Sequence, residues 1–152
     1  MDDRDEDGPK DDWRWSAVSD MVKAFNNRYE DVIHPSGTLC IDESFSRWYE
    51  LGDHWMDIGL PHYVRMDRKP EAGCEFQTLC CGRSGLLLRF EIVCHGDDQQ
   101  YRIFGDTDTN RATQVVLRMP QPWLHTRRLL VGDRHFASVE VAELLLEREL
   151  YF

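Results

Sequence analysis

Three features that define other classes of protein are missing from this sequence of 152 residues. It contains no apolar run near the roughly 20 residues needed to cross a bilayer, and its start lacks the basic end and apolar run of a secretory signal. It also lacks a basic surplus, since 28 Asp and Glu outnumber 18 Lys and Arg to give a formal charge of -10. We therefore expect a soluble, intracellular protein with no membrane partner. The charge excludes a protein that holds a phosphate backbone by its own positive field.

The sequence has five cysteines, an odd number, and no C-x-x-C pair. Cys80 and Cys81 are adjacent, so in a strand their side chains would point to opposite faces. Without a secretory signal or a framework-like spacing, free buried thiols are favoured over disulfides. We assign no structural metal to the cysteines.

The composition that remains is that of one folded domain. Hydrophobic residues make up 41% and charged residues 30% of the chain, which excludes low-complexity and wholly disordered classes. Residues 1–12 hold seven acids against Arg4 and Lys10, so half of the acidic excess lies in a segment with almost nothing to bury. We predict an acidic disordered tail over 1–12 and a folded domain over 13–152.

An amphipathic helix and a central strand open the predicted domain. Ser16 can cap the helix, whose apolar residues recur with the i, i+3, i+4, i+7, i+11 spacing of one buried face. These residues are Val18, Met21, Val22, Phe25 and Tyr29. Pro35 and Gly37 end the segment, and the stretch 38–45 predicts the first strand.

An antiparallel hairpin is predicted next, after an irregular connection over residues 46–73 that is rich in Gly, Pro and aromatic residues. Residues 74–81 alternate between two faces, and the turn at 82–85 leads into an apolar strand over 86–94. A polar loop over 95–109 separates this hairpin from the second half of the domain.

The second half is predicted to continue with a helix, a strand and a helix. The helix covers 112–119, and the apolar run 128–133 is typical of a buried parallel strand. Ser138 then caps a helix that faces inward with four residues, Val141, Ala142, Leu144 and Leu145. Tyr151-Phe152 is predicted to begin a further strand.

This order predicts an α/β fold with a mixed sheet, in the order strand, strand, strand, helix, strand and helix. It is a partial ribonuclease H-like fold that is truncated before the last strand. A strand that follows a crossover helix lies parallel to a neighbour in the same sheet. If that neighbour is the first strand, Asp42 and Asp133 come together at the end of the sheet where α/β folds place ligands. The alternative is a solvated acid at a strand end for Asp42 and a turn or cap acid for Asp133.

Five segments in order make the chain resemble piggyBac-type transposases. They are Ile41-Asp42-Glu43-Ser44 after a Pro-x-Gly turn, Gly59-Leu60-Pro61-x-Tyr63-Val64, Asp67-Arg68-Lys69-Pro70, Gly82-x-Ser84-Gly85, and Asp133-x-x-Phe136-Ala137-Ser138 leading into a helix. Each segment is weak alone, and their ordered combination is more specific. The resemblance runs from about Trp13 to Phe152 and makes 13–152 a fragment of a piggyBac-like catalytic domain.

The resemblance implies a DDE/D catalytic core that cleaves and transfers DNA strands with Mg²⁺. Asp42 matches the first metal-binding aspartate and Asp133 the second, while Glu43 is a neighbour and not a ligand. The family's third carboxylate lies further along than this sequence extends, so the chain is expected to be inactive alone. DNA is the implied partner and the nucleus the implied location. Arg134 stands where many members have Asn, and a cation beside Asp133 competes for its charge.

The sequence also allows other functions. The chain could be a co-opted module that binds DNA or protein without catalysis, or a truncated relic without a selected role. A sheet that stops at Tyr151-Phe152 would leave an edge through which copies could associate. Two further features, the aromatic residues around Trp48 and Trp55 and the Arg127-Arg128 cluster, are more typical of packing and solvated surface than of nucleic-acid contacts.

Overall fold

A computed structural model describes residues 13–47, 64–65, 72–93 and 110–152 of the chain. The elements are α1 (Trp13–Val32), β1 (Thr38–Arg47), β2 (Val64–Arg65), β3 (Ala72–Cys81), β4 (Leu87–Ile92), α2 (Arg111–Arg118), a 3₁₀ turn (Gln121–Trp123), β5 (Leu129–Val131) and α3 (Val139–Leu146). The predictions for residues 1–12 and 95–109, and for most of 46–73, lie outside the described residues. In the described parts of the chain, no helix is both long and apolar enough to span a membrane.

A mixed sheet forms the centre of the fold, and β1 is its middle strand. β3 runs antiparallel to β1 along its length, from Leu39 opposite Cys81 to Arg47 opposite Gly73. β4 and the short β2 pair antiparallel with β3 on its other edge, while β5 pairs parallel with β1. The predicted mixed α/β order is confirmed, including the parallel strand after the crossover. β2 corrects the prediction of a wholly irregular connection over 46–73.

The β3–β4 hairpin has the predicted turn. Gly85 has a φ of +69°, a left-handed conformation that favours glycine, and its N–H donates to the Cys81 carbonyl at 2.8 Å. The Cys81 N–H in turn donates to the Leu86 carbonyl at 2.9 Å, which holds the returning chain in place. The four cysteines within the described residues are free, and Cys81 is buried, while Cys94 lies outside them.

The hydrophobic core lies between one face of the sheet and helices α2 and α3. Strand residues Leu39, Ile41, Leu79 and Leu130 are at most 2% exposed and belong to one cluster with residues from both helices. Burial of each large aliphatic side chain contributes about 1.5–3 kcal/mol. The alternation predicted for 74–81 is confirmed, because Leu79 is buried on this face while Cys80 next to it is only half-buried.

The first helix differs from its prediction in both its start and its buried face. It begins at Trp13 and not after Ser16, and Val22 alone of the predicted apolar face is fully buried. Val18 and Met21 are 36% and 60% exposed. The buried side of α1 contains two polar residues, Ser19 and Asn26, which the hydrophobic pattern could not select.

Asn26, the more deeply buried of the two at 1% exposed, closes the outer edge of β4. Its Nδ2 donates to the Phe90 carbonyl at 2.9 Å, and its Oδ1 accepts the Phe90 N–H at 3.0 Å. The side-chain amide therefore takes the place of a neighbouring strand at this residue. Phe25 and Tyr29 of the same helix stack on each other, and Phe25 makes an edge contact with the Phe90 ring.

Tyr151 occupies part of the opposite edge of the sheet. It forms a parallel bridge with Leu129, in which the Leu130 N–H donates to the Tyr151 carbonyl at 2.7 Å. The Tyr151 N–H donates back to the Arg128 carbonyl at 2.9 Å. This pairing agrees with the prediction that Tyr151-Phe152 opens a further strand.

Candidate functional site

Asp42 lies within β1, and Asp133 lies two residues past the end of β5, the parallel neighbour of β1. The β1–β5 register places Thr38 opposite Leu129 and Cys40 opposite Val131. Continued by two residues, the same register puts Asp42 beside Asp133, just past the end of β5. By this register the two aspartates lie near each other beside the end of β5, as the crossover rule predicts.

Gly132 allows the two strands to stay close at this point. A Cβ on Gly132 would lie 2.9 Å from the Ile41 Cγ2 atom, which is closer than real Cβ contacts come. A glycine immediately before Asp133 therefore lets the chain leave β5 alongside the residue that precedes Asp42. This glycine is a positioning feature of the site that the sequence pattern alone did not identify.

Each aspartate accepts a hydrogen bond from a nearby backbone amide. Asp42 Oδ1 accepts the Glu43 N–H at 2.9 Å, and Asp133 Oδ1 accepts the His135 N–H at 2.7 Å. Both aspartates are exposed, so their carboxylates reach solvent. The second bond is a local turn contact typical of Asp, and it orients the Asp133 carboxylate at the start of the loop to α3.

Glu43 is a third carboxylate beside this pair. It lies on the opposite face of β1 from Asp42, and its side chain is 29% exposed. Burial raises the pKa of Glu43 above its usual value, the charges of Asp133 and Asp42 raise it further, and its own backbone amide and His135 oppose the shift. Three acids thus share one negative environment, although the sequence analysis treated Glu43 only as a neighbour.

His135 and Arg134 flank Asp133 without blocking it. The His135 Nε2 atom lies 4.0 Å from Glu43 Oε1, and the ring is 66% exposed and makes an edge contact with Phe136. Arg134 is exposed and forms no ion pair with any residue that the structure describes. The competition of the Arg134 charge with a metal at Asp133 stays a prediction.

The donor set fits a hard divalent cation only in part. Carboxylate oxygens are the ligands that Mg²⁺ prefers, and Asp42 and Asp133 are exposed to a cation from solvent. Across residues 13–47, 64–65, 72–93 and 110–152, however, no group of three His, Cys, Asp or Glu is arranged to hold a metal ion. Two carboxylates are thus what these residues can offer to such a cation.

The other predicted contact residues divide between packing and undescribed segments. Arg128 donates to the Ser36 and Pro35 carbonyls at 2.9 and 3.2 Å, so it links the start of β5 to the segment before β1. Arg127 forms an exposed ion pair with Glu149. This cluster has the structural role that the sequence analysis favoured, while Trp48 and Trp55 lie outside the described residues.

Comparison with known proteins gives a family and a fold. The family model described as Transposase IS4 matches residues 1–152. A search of curated proteins returned no match. A cryo-EM structure titled as a piggyBac transposase synaptic complex with hairpin DNA matches with a TM-score of 0.71 and 17% identity, covering 88% of this chain and 26% of that transposase chain. The chain therefore spans about a quarter of that transposase, and the likeness is one of fold.

Proposed function

Because the chain belongs to the Transposase IS4 family, we propose that Asp42 and Asp133 are the first two metal-binding carboxylates of a DNA-transposition core. The observation that supports this proposal is the parallel β1–β5 register, which, continued two residues beyond Cys40 and Val131, aligns Asp42 with Asp133. The similar fold of a transposase captured with hairpin DNA supports DNA as the substrate class. A role on DNA would place the protein in the nucleus.

The residues of this chain would act by holding and orienting two carboxylates at one place. The Glu43 and His135 amides fix one oxygen of each aspartate, and Gly132 keeps the two strands in contact. Mg²⁺ held there would supply neutralisation of charge on the phosphate oxygens during an in-line phosphoryl displacement. The half-buried Glu43 would add negative potential behind the pair.

We also propose that residues 1–152 alone do not cleave DNA. Asp42 and Asp133 are two carboxylates, and the family resemblance requires a third to complete the set. Two ligands hold a hard cation more weakly than three, since affinity in oxygen sites depends on the number of charged ligands. The formal charge of -10 also opposes unaided binding to a phosphate backbone.

A nicking assay tests these proposals. The purified chain is incubated with supercoiled plasmid and Mn²⁺, beside Asp42→Asn, Asp133→Asn and the control Asp20→Asn, which changes an exposed acid on α1. Neither the parent chain nor any variant is expected to nick the plasmid. Mn²⁺ binding, measured separately on the same proteins, is expected in the parent and the control and should be lost in both site variants. Mn²⁺-dependent nicking that Asp42→Asn abolishes would overturn the inactivity, and unchanged Mn²⁺ binding in both site variants would overturn the site.

The second candidate function is a module that binds DNA or protein without catalysis. It is considered because no group of three His, Cys, Asp or Glu within the described residues is arranged to hold a metal ion. A salt-sensitive gel shift of duplex DNA without strand cleavage would support it, because phosphate contacts weaken as salt rises. The absence of any shift at low salt would leave the co-opted DNA-binding role without support.

Association between copies through the sheet edges is a separate proposal. Leu129 and Tyr151, at the edge beside β5, are 42% and 49% exposed. Unpaired strand groups and exposed apolar side chains promote pairing with another chain. Light scattering tests this, with a dimer expected at high concentration and a clean monomer counting against it.

A further inference from the structure

A cavity of about 370 Å³ lies on the helix-covered face of the sheet. The sheet side of the cavity carries Glu43, Glu75 and Gln77. Its other walls come from α2 and from the turn between β5 and α3, including the apolar residues Val115 and Phe136. The volume is enough for a small organic group and lies within the lower range of ligand pockets in proteins.

Gln77 gives this cavity an unsatisfied acceptor. Its side chain is 8% exposed, and its Oε1 atom has no hydrogen-bond partner among the residues that the structure describes. A buried polar atom without a partner costs about 1–3 kcal/mol, so such atoms are normally paired. Since Gln77 lines the cavity, a ligand there can donate an N–H to this oxygen.

The two glutamates make the same wall acceptor-rich. Glu43 and Glu75 are both half-buried, and an ionised carboxylate only accepts hydrogen bonds. His135 offers a cation near Glu43 only when it is protonated, at 4.0 Å, and its ring is mostly exposed. Arg111 also lines the cavity, from the exposed surface of α2. The sheet wall therefore presents three acceptor groups to the cavity: Gln77 Oε1 and the carboxylates of Glu43 and Glu75.

We propose that this cavity binds an alkylguanidinium or alkylammonium group. The cationic head would donate to Gln77 Oε1 and to the carboxylates of Glu43 and Glu75, while its hydrocarbon stem packs on Val115 and Phe136. Such a group could belong to a free polyamine or to a basic side chain of a partner protein. The inference does not depend on the proposed catalytic role, because it concerns binding without reaction.

The test is a pair of isosteric probes titrated into the full chain without divalent metal. n-Butylguanidinium carries a charge and n-butylurea has nearly the same shape without it. Backbone and side-chain amide signals in ¹H–¹⁵N NMR spectra should shift saturably for Gln77 and Val115 on addition of n-butylguanidinium. The neutral probe should bind about tenfold more weakly, since hydrogen bonds to charged groups contribute about 1.5–3 kcal/mol.

Two variants and a control complete the design. Gln77→Leu removes the unpaired acceptor, so we expect weaker binding by about tenfold with unfolding free energy unchanged or raised. Glu75→Gln should weaken binding in the same direction, and Glu140→Gln, an exposed acid on α3, should leave it unchanged. Equal affinity for both probes, no shift at Gln77, or unchanged binding in both site variants would overturn the proposal.

The source of the cation is separated by two further probes. Tighter binding of spermidine than of N-acetylarginine amide supports the proposal with a free polyamine as ligand. The reverse order supports it with a basic protein side chain. Failure of both to compete with n-butylguanidinium would overturn the proposal.

Discussion

The buried ion pair between β4 and α2 gives the sharpest prediction for stability. Arg118 Nη2 lies 2.5 Å from Glu91 Oε1, and Arg118 Nε lies 3.2 Å from Glu91 Oε2. The two side chains are 8% and 6% exposed, so removal of one partner leaves the other charge buried without compensation. Loss of one partner of such a pair costs about 3–5 kcal/mol. We therefore expect Arg118→Met to lower the unfolding free energy by about this amount.

Glu91 should be the more costly residue of the two to replace. Its charge also acts on Arg89, a 2% exposed guanidinium whose pKa burial lowers to about 10, while Glu30 and Glu91 counteract that shift. Glu91→Met thus removes the support of two buried cations, whereas Arg118→Met affects one pair. The double variant should lose less than the two single losses added together, because neither member of the pair remains unpaired.

Urea denaturation followed by circular dichroism measures these differences. With a slope of about 2 kcal/mol per M urea, a loss of 3–5 kcal/mol moves the midpoint by about 1.5–2.5 M. Arg127→Met is the matched control, since it breaks the exposed pair with Glu149, and such pairs contribute at most about 1 kcal/mol. A loss below about 1 kcal/mol for Arg118→Met, or strictly additive losses in the double variant, would refute this reasoning.

Three further predictions concern the sheet edge, the strand contact and pH. Asn26→Ala should lower the unfolding free energy by about 1–3 kcal/mol in urea titrations, because two hydrogen bonds to Phe90 are lost. The control is Asn27→Ala on the exposed side of α1, and a smaller loss for Asn26→Ala than for this control would argue against the prediction. Gly132→Ala should cost about 1–3 kcal/mol through overpacking, whereas Gly37→Ala meets no atom within 4 Å and should be neutral by the same measurement. Burial raises the pKa of Glu43, so the protonated side chain favours folding at low pH, and this contribution to stability is lost as pH rises past the folded pKa. Glu43→Gln should therefore stabilise the chain at pH 7, and by less at pH 4. An equal effect at both pH values would contradict the assignment.

Much of the fold could be predicted from local patterns. The alternation around Leu79, the glycine turn at Gly85 and the apolar run before Asp133 specify strands and a hairpin without knowledge of the whole structure. The crossover rule then fixes β5 as a parallel neighbour. The resemblance to piggyBac-type transposases is confirmed by the family model and by the matching fold.

The parts that sequence reasoning missed depend on contacts between distant segments. Asn26 is polar, and only its pairing with β4 shows why it is buried where Met21 is not. Gln77 shares a face with Leu79, yet whether its amide finds a partner depends on α2 across the cavity. Such positions follow from packing geometry, which hydrophobic periodicity does not encode.

The pairing of the site residues was a hypothesis that the strand register now supports. Asp42 and Asp133 are 91 residues apart in sequence, and the parallel ladder that begins at Thr38 and Leu129 aligns them when it is continued past Val131. Their roles as metal ligands stay predictions. Glu43 was set aside as a neighbour, and its half-buried position beside both aspartates could not be inferred before the β5–α3 turn was in place.

Whether one divalent cation is shared by both aspartates is the central claim, and it can be measured by the stoichiometry of Mn²⁺ binding in electron paramagnetic resonance titrations. A shared site predicts one bound ion in the parent chain and none in either Asp42→Asn or Asp133→Asn at the same concentration. Two independent sites would instead leave binding in each single variant and lose it only in the double variant. That second result, or binding that neither substitution changes, would contradict the account.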